Sequence, residues 1–488
     1  MNKKSLLVIG LIALISINLN AQTKTYSLGE LIQLARTQSP AWARAETRKE
    51  NNYWLYKTYL SDYQPQLSLE GTLPNYVNNY IPVTQEDGTV QYRSVTNNTV
   101  DVELGLRQSI GATGGTVYAA SALSRFDDLN SNETRYNGQP VRVGFVQPIF
   151  QFNQLAWNRK INPLQYEESQ KAYFEELEQI SVQSTQIFFD LLLAQVEMQI
   201  AKLNVANNDT IYKIALGRYQ LGKIGENELL QLELNLVNSQ LAVAQAEVDL
   251  QTASLQLKSY VGFSDNDQIV LELPELIPAF EVDEIVALNE SLKNRADAVS
   301  FQRRIYEGEE ALARAKGTTG VNMDLFASYG ISNSGQAIGD IYSDAINSQI
   351  VRLDMSVPIL DWGRQKSRKK TAEANLKLVE YQVEQDKLNF EQEVLTQVRS
   401  FKMLRDQVLA RKKSDEIGLQ AYQISYQLYL IGKISITDLN QSLAAKDQAK
   451  QRYIGALRDF WTAYYQLRQL TLYDFQNNSL LVRDIQTK

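Results

Sequence analysis

The amino-acid sequence predicts an α+β membrane protein in which a transmembrane β-barrel continues into long antiparallel α-helical hairpins. Three observations predict it: very long segments of helical periodicity, segments in which apolar and polar residues alternate, and an internal repeat. In the clearest part of the repeat, Tyr219–Gly225 returns 210 positions later as Tyr429–Ser435. Each copy lies between two helical segments, so we expect it to form the tight turn of a hairpin. Gly222 and Gly432 can close such a turn because glycine tolerates the left-handed conformation.

The composition excludes several classes of function. The 488 residues include no histidine and no cysteine, and the formal net charge is −7. Disulfides, thiol catalysis and Ser-His catalysis are therefore excluded, and zinc, copper and haem lose their usual histidine and cysteine ligands. We expect no metal, no cofactor and no enzymatic activity, and the acidic balance argues against nucleic acid as a partner.

The first residues predict export. Lys3 and Lys4 precede the apolar run Leu6–Ile17, and Ala21 supplies a small residue for cleavage. This is the pattern of a secretory signal peptide, which we place at residues 1–21. No later segment has the apolar length of a membrane helix, so a membrane span would have to be built from strands.

The first half of the mature chain, 22–262, is predicted to hold helices, strands within 66–150 and a helical hairpin at 155–261. Alternation is clearest in Val100–Arg107, where even positions are apolar and odd positions polar. Such alternation suits barrel strands, although a soluble antiparallel sheet with one buried face remains an alternative. The helix at 155–221 would be roughly 100 Å long at 1.5 Å per residue.

The second helix of this hairpin carries a heptad seam. Its apolar positions alternate in steps of four and three, which is the a/d pattern of a coiled coil. We interpret this seam as packing core rather than a binding surface: Leu230, Leu234, Val237, Leu241, Ala244, Val248, Gln251 and Leu255.

A linker at 263–281 leads into the second half, 282–475, and the chain ends with a tail at 476–488. The second half is predicted to have strands within 321–359 and a helical hairpin at 364–470. The two halves begin about 254 positions apart, but from Val141 onward their offset is 210. The first half therefore holds about 44 additional residues in its strand region, and whether they add barrel strands stays open at this point.

The ordered pattern of both halves resembles the outer-membrane factor family, the TolC-like channels. The resemblance implies a homotrimer in which each chain gives four strands to a twelve-stranded barrel in the outer-membrane lipid of a Gram-negative bacterium. It also implies a periplasmic helical tunnel that docks a periplasmic adaptor (membrane fusion protein) and an inner-membrane pump, as the exit duct of an efflux or type I secretion system. The additional residues depart from the four-strand count, and the exported cargo is not encoded in these patterns.

The resemblance also assigns site residues. The adaptor would dock at the two tips, where a lysine replaces the last apolar residue of the family triplet: Leu221, Gly222, Lys223, Ile431, Gly432 and Lys433. The tunnel gate would lie six and nine residues beyond the tip glycines: Asp438, Gln441, Glu228 and Gln231. Ile434 occupies the place of a family arginine, so that clamp is expected to be absent.

Other interpretations stay open for the chain and for these residues. A trimeric envelope adhesin or coiled-coil stalk would also combine strands with long helices, although two repeated antiparallel hairpins do not suit it. An envelope enzyme is remote without histidine or cysteine. The tip lysines could be ordinary solvated cations near helix C-termini, and Asp438 an acid stabilised by a helix dipole.

Overall fold

The computed structural model describes residues 24–264 and 269–481, so the predicted signal peptide lies outside the described residues. The first repeat contains β1 (Lys24–Tyr26), α1 (Leu28–Gln38), α2 (Pro40–Ser61), β2 (Gln66–Thr84), β3 (Val90–Ile110), β4 (Gly115–Asp128), β5 (Glu133–Ile149), α3 (Gln154–Gln220) and α4 (Glu226–Val261). The second repeat contains β6 (Ile269–Leu271), α5 (Glu284–Asn294), α6 (Ala296–Gly317), β7 (Asn322–Gly335), a 3₁₀ turn (Ile338–Tyr342), β8 (Ile346–Ser356), α7 (Arg364–Leu430) and α8 (Ile436–Thr471), followed by β9 (Tyr473–Asp474) and β10 (Ser479–Leu480).

The helical hairpins of the two repeats correspond residue by residue. Helices α3 and α7 each have 67 residues, and α4 and α8 each have 36. Each of these helices begins and ends 210 positions from its counterpart. The predicted two-fold repeat of a strand region followed by a long helical hairpin is therefore confirmed. No helix in the described part of the chain is both long enough and apolar enough to cross a membrane.

Six strands form one antiparallel sheet in the order β2-β3-β4-β5-β7-β8. The first repeat supplies four of them and the second supplies two, and the repeats meet where β5 pairs with β7. The additional residues of the first half therefore extend the same sheet by two strands, with β3 paired to β4 from Asn97 to Ile110. The resemblance implied that each chain gives four strands to a barrel, and the sheet of this chain has two strands more.

The two faces of the sheet differ in chemistry, because cross-strand partners share a face and neighbours along a strand alternate. Leu69 is opposite Leu104 on one face, whereas Glu70 is opposite Glu103 on the other. The first face carries exposed apolar side chains along all six strands: Leu67, Leu69, Leu104, Leu106, Val117, Val143, Phe145, Tyr329, Val351 and Leu353. A soluble sheet would cover that face, and no part of the described chain covers these side chains.

The chain divides into two compact units that cut across the sequence repeats. Among the described residues, the helical unit comprises 24–50, 169–264, 269–298 and 388–481, and the sheet unit comprises Asn51–Glu168 and Val299–Lys387. Each unit takes segments from both repeats. The repeats thus describe the order of elements along the chain rather than the units that fold together.

A buried ion network holds the helical unit together. The Glu178 side chain on α3 is only 1% exposed and accepts hydrogen bonds from Arg36 on α1 (2.9 Å) and Arg468 on α8 (3.1 Å). Arg468 also donates to Asp474 on β9 at 3.2 Å. A buried carboxylate is tolerated only when it is paired in this way.

Glu178→Gln is expected to lower the free energy of unfolding by about 3 kcal/mol, because it leaves two partly buried guanidiniums without the buried carboxylate that they share. Urea-induced unfolding of the purified protein in detergent measures the change. The exposed Glu247→Gln is the control and is expected to change stability little. Equal effects of the two variants would show that the network contributes nothing.

Helix α4 has two apolar sides, and the predicted seam is not the one buried within the chain. The side against the rest of the helical unit consists mostly of small and aliphatic residues: Leu232, Ser239, Ala246, Ala253, Leu257 and Val261. At 100° per residue the predicted seam lies on the opposite side of the helix. Its large side chains are exposed: Leu230, Leu234, Val237, Leu241, Val248 and Leu255. The expectation that this seam is packing core is therefore wrong within one chain, and we call these six residues the outer stripe.

Candidate functional site

The two repeated turns close the hairpins with the same backbone geometry. Gly222 and Gly432 have φ of 68° and 73°, in the left-handed region that favours glycine. The N–H of Gly222 donates to Tyr219 at 2.8 Å, and the N–H of the next residue, Lys223, donates to Arg218 at 2.9 Å. The second turn repeats both bonds at 2.9 Å. This is the Schellman arrangement that satisfies the last carbonyls of a helix.

The tips expose the side chains that the sequence predicted for docking. Leu221 is 72% exposed and Ile431 is 65% exposed, and Lys223 and Lys433 are exposed as well. The next apolar residue of each turn packs inward onto a core shared by both hairpins: Ile211, Ala215, Leu232, Tyr422, Tyr429, Ile436 and Leu439. The two tips therefore belong to one packed end of the helical unit, with an apolar residue and a cation presented by each.

A cluster of three side chains ties the first hairpin to the second beneath the tips. Arg218, in the last turn of α3, donates to the backbone carbonyl of Leu430 at 2.6 Å. Its guanidinium lies 5.9 Å from the ring centroid of Tyr429. The cation thus satisfies a carbonyl at the C-terminus of α7, where helix carbonyls lack intrahelical partners and the dipole favours positive charge.

Glu228 completes this tie. The Tyr429 side chain is 3% exposed, and its hydroxyl interacts with the Glu228 carboxylate at the start of α4. Burial raises the pKa of Tyr429, and the Glu228 charge acts in the same direction against the opposing charge of Arg218. Tyr429 therefore stays a neutral phenol that joins α7 to α4. We call Arg218, Glu228 and Tyr429 the tip tie.

Asp438 and Glu228 occupy equivalent positions in the repeat but make different contacts. Asp438 is the third residue of α8 and accepts hydrogen bonds from the N–H (3.0 Å) and hydroxyl (2.7 Å) of Ser435, which accepts from Asp438 N–H in return. This is a capping box, and it lowers the pKa of Asp438. In the first repeat the cap is Gly225, which has no side chain. Glu228 reaches Tyr429 instead.

The remaining gate residues, Gln231 and Gln441, are exposed on the helices that follow the tips. Asp438 and Gln441 are three residues apart and so lie on one face of α8. Of the four predicted gate residues, Glu228 is the one whose side chain reaches the other hairpin within the chain. Among residues 24–264 and 269–481 no group of three or more acidic side chains is placed to hold a metal ion.

Two residues of the tip tie, Arg218 and Tyr429, were not predicted from the sequence. Arg218 is equivalent to Leu428 at the 210-residue offset, and Tyr219 to Tyr429. Tyr219 is 40% exposed, whereas Tyr429 is buried. The signal was present in the sequence, because Arg218 is charged whereas its counterpart in the second repeat, Leu428, is apolar.

Comparison with known proteins identifies the family. The sequence model described as "Outer membrane efflux protein" matches residues 105–263 and 287–471, which include both hairpins. The chain belongs to the outer membrane efflux protein family. Membership makes it an outer-membrane exit channel of a Gram-negative cell, in a family of transport proteins rather than enzymes, as the resemblance implied. No curated protein sequence matches the chain.

Solved structures of outer membrane efflux channels share the fold. The Campylobacter jejuni CmeC outer membrane channel is 15% identical, with a TM-score of 0.64, covering 91% of this chain and 85% of that chain. The open state of the Neisseria gonorrhoeae MtrE channel is 13% identical, with a TM-score of 0.62, covering 91% and 88%. The Vibrio cholerae outer membrane protein VceC is 13% identical, with a TM-score of 0.59, covering 91% and 95%.

Proposed function

We propose that three copies of the chain close head to tail into an exit duct, in which a trimeric β-barrel crosses the outer membrane and continues as a helical tunnel. The duct docks a periplasmic adaptor and an inner-membrane pump at its tips. The proposal rests on one observation. In each unit, the first repeat packs against the second repeat at one junction within the chain. The two surfaces that would form an equivalent second junction have no partner within the described chain. Heterologous junctions of this kind form rings when the rotation closes.

In the sheet, the last strand of the first repeat, β5, pairs with the first strand of the second repeat, β7. The reciprocal junction would pair β8, the last strand of the second repeat in this sheet, with β2, the first strand of the first repeat in this sheet. Both are edge strands of the sheet. A long uncovered edge pairs readily with another chain. Pairing β8 with β2 of the next copy removes every edge, which a membrane-spanning sheet requires.

In the helical unit, the junction that forms within the chain is between α8 and α3. Its polar contacts are Asp447 to Asn204 (2.9 Å), Gln451 to Glu197 (3.2 Å) and Arg458 to Asp190 (3.7 Å). The residues of α4 equivalent to the three α8 members are Val237, Leu241 and Val248, all in the outer stripe. Helix α7 is the equivalent of α3 in the second repeat. We therefore expect the outer stripe to pack against α7 of the next copy.

Helix α7 offers a matching surface. Apolar side chains recur along it at seven-residue intervals and are exposed in the single chain: Met403, Ala410, Ile417 and Ile424. Burying a leucine-sized side chain contributes about 1.5–3 kcal/mol. A stripe of six such residues in each of three interfaces is enough to hold a ring. The exposed apolar face of the sheet would meet the membrane lipid.

Charge reversal at the tips tests docking. Lys223→Glu together with Lys433→Glu is expected to abolish capture of the adaptor encoded with the pump, because the exposed cations meet its acceptor groups. Lys213→Glu, exposed on α3 away from the turn, is the control. The readout is co-purification of adaptor and duct together with efflux in cells. Unchanged capture by the double variant would place docking elsewhere.

The role of Asp438 is tested by separating its charge from its capping bonds. Asp438→Asn removes the charge and Ser435→Ala removes the cap, so loss of cation selectivity in planar bilayers is expected only for Asp438→Asn. Because the folded pKa of Asp438 is lowered, the charge and the selectivity persist at neutral pH and are lost only as the pH falls through that lowered pKa. Equal behaviour of the two variants would assign Asp438 to capping alone.

The assembly itself is tested on outer-membrane fractions. The chain is expected there as a heat-dissociable trimer that conducts ions after reconstitution. A monomer in the soluble periplasmic fraction would contradict the duct.

A further inference from the structure

The polar face of the six-stranded sheet carries a continuous line of contacts that crosses every strand. It begins on β2 with Glu70, 3.8 Å from Arg107 on β3, which is also 3.8 Å from Glu103 on the same strand. Glu103 accepts a hydrogen bond from Arg142 on β5 at 3.1 Å. Three strands are thus linked by alternating carboxylates and guanidiniums on one face of the sheet.

Aromatic rings carry the line to the other edge. The Arg142 guanidinium lies 5.6 Å from the ring centroid of Tyr118 on β4, and that ring stacks on Phe326 of β7 with centroids 6.3 Å apart. Arg352 on β8 lies 5.1 Å from the Phe326 ring and donates to Asp354 at 2.8 Å. Cations over ring faces are attracted by the ring quadrupole.

The sheet makes room for this line at one glycine. Gly144 on β5 is the cross-strand partner of Tyr118, and a Cβ at this position would lie 2.7 Å from the ring and hydroxyl of Tyr118. Without a side chain there, the Tyr118 ring can lie across β5 and reach the next strand. We call the line the belt: Glu70, Glu103, Arg107, Arg142, Tyr118, Phe326, Arg352 and Asp354.

We propose that the barrel of this duct has eighteen strands and that the belt is a selectivity filter on its lumen wall, favouring small cationic and zwitterionic solutes. The proposal rests on the proposed function, because six strands from each of three copies give eighteen. Barrels of sixteen to eighteen strands leave an open aqueous channel. With the apolar face against lipid, the belt faces that water.

The charge on the lumen face sets the preference. Asp101 and Asp324 share this face with the belt, because they lie opposite Thr72 and alongside Asp354 in the cross-strand register. Over the paired residues of the six strands, the face of each chain therefore carries seven carboxylates and five guanidiniums, an excess of two negative charges: Glu70, Asp101, Glu103, Asp128, Glu133, Asp324 and Asp354 against Arg93, Arg107, Arg135, Arg142 and Arg352. Rings of acidic side chains favour cations, and the interspersed guanidiniums offer a partner to the anionic end of a zwitterion.

Neighbouring residues of β3 provide a matched test in a chain that has no cysteine of its own. Glu103→Cys places a thiol on the lumen face, and Leu104→Cys places one on the lipid face. Labelling with a thiol-reactive trimethylammonium reagent is expected to lower the cation-to-anion permeability ratio about twofold for Glu103→Cys and to leave Leu104→Cys unchanged. Glu70→Gln, at an exposed end of the belt, should shift the ratio the same way without labelling.

Electron cryomicroscopy of the purified trimer in nanodiscs counts the strands, and eighteen are expected. A twelve-stranded ring with β2 and β3 outside it would overturn the inference, as would a labelled Glu103→Cys channel with unchanged selectivity. A wild-type chain that conducts no ions, or that purifies as a monomer, would instead overturn the proposed function.

Discussion

Replacing Leu234 and Leu241 together by glutamate is expected to leave the chain folded but to prevent the trimer from forming. Both side chains belong to the outer stripe of α4, more than half of each is exposed in the single chain, and the opposite side of the helix supplies the packing within the chain. Each substitution removes about 1.5–3 kcal/mol of burial from an interface. It also places a carboxylate in an apolar contact, which adds a desolvation cost.

The measurement is the mass of the protein in detergent, together with efflux in cells that lack the native copy. Because the interface occurs three times in the ring, loss of assembly and of efflux should be complete. Asn238→Glu adds the same charge on the flank of the same helix and should assemble normally. A double variant that still forms trimers would show that the outer stripe is not the contact between copies.

Breaking the tip tie is expected to open the duct. Arg218→Ala removes a charged hydrogen bond to the end of α7, and such bonds contribute about 1.5–3 kcal/mol. Tyr429→Phe keeps the buried ring and removes only the hydroxyl that interacts with Glu228. The two together free the second hairpin from the first without emptying the core beneath the tips. We expect a several-fold rise in single-channel conductance, in proportion to the population shifted toward open tips.

Conductance in planar bilayers and cellular uptake of a large antibiotic excluded by the outer membrane are the two readouts. Tyr219→Phe alters the equivalent but partly exposed tyrosine of the first tip and is the matched control. Arg218→Lys keeps the charge and should give an intermediate conductance. A double variant with wild-type conductance would show that the tie is structural and does not hold the tips closed.

Local chemistry made much of the fold predictable. Tip glycines at one offset and the change from helical to alternating periodicity near Gln66 are both short-range signals. Helix ends agree with the structure to within a few residues because such signals act through the backbone within one turn.

The missed features depend on what lies beside a residue in space. Arg218 has its role only because the second hairpin ends next to it. The outer stripe has a normal heptad pattern, and periodicity does not say whether the partner helix belongs to the same chain. Asp438 shows the converse: its spacing from Gly432 suits a gate and its spacing from Ser435 suits a cap, and only the side-chain contacts reveal that the cap is made.

If the α8–α3 junction within the chain recurs as an α4–α7 junction between copies, a single cross-link should detect it directly. Asp447 and Asn204 are in contact within the chain, so their equivalents, Val237 and Ser414, should face each other across the interface. The double variant Val237→Cys, Ser414→Cys, treated with a short bis-maleimide, is expected to give covalent dimers and trimers in denaturing gels. Asn238→Cys with Ser414→Cys should give none. Intact trimers that yield only monomers from the first pair would contradict the account.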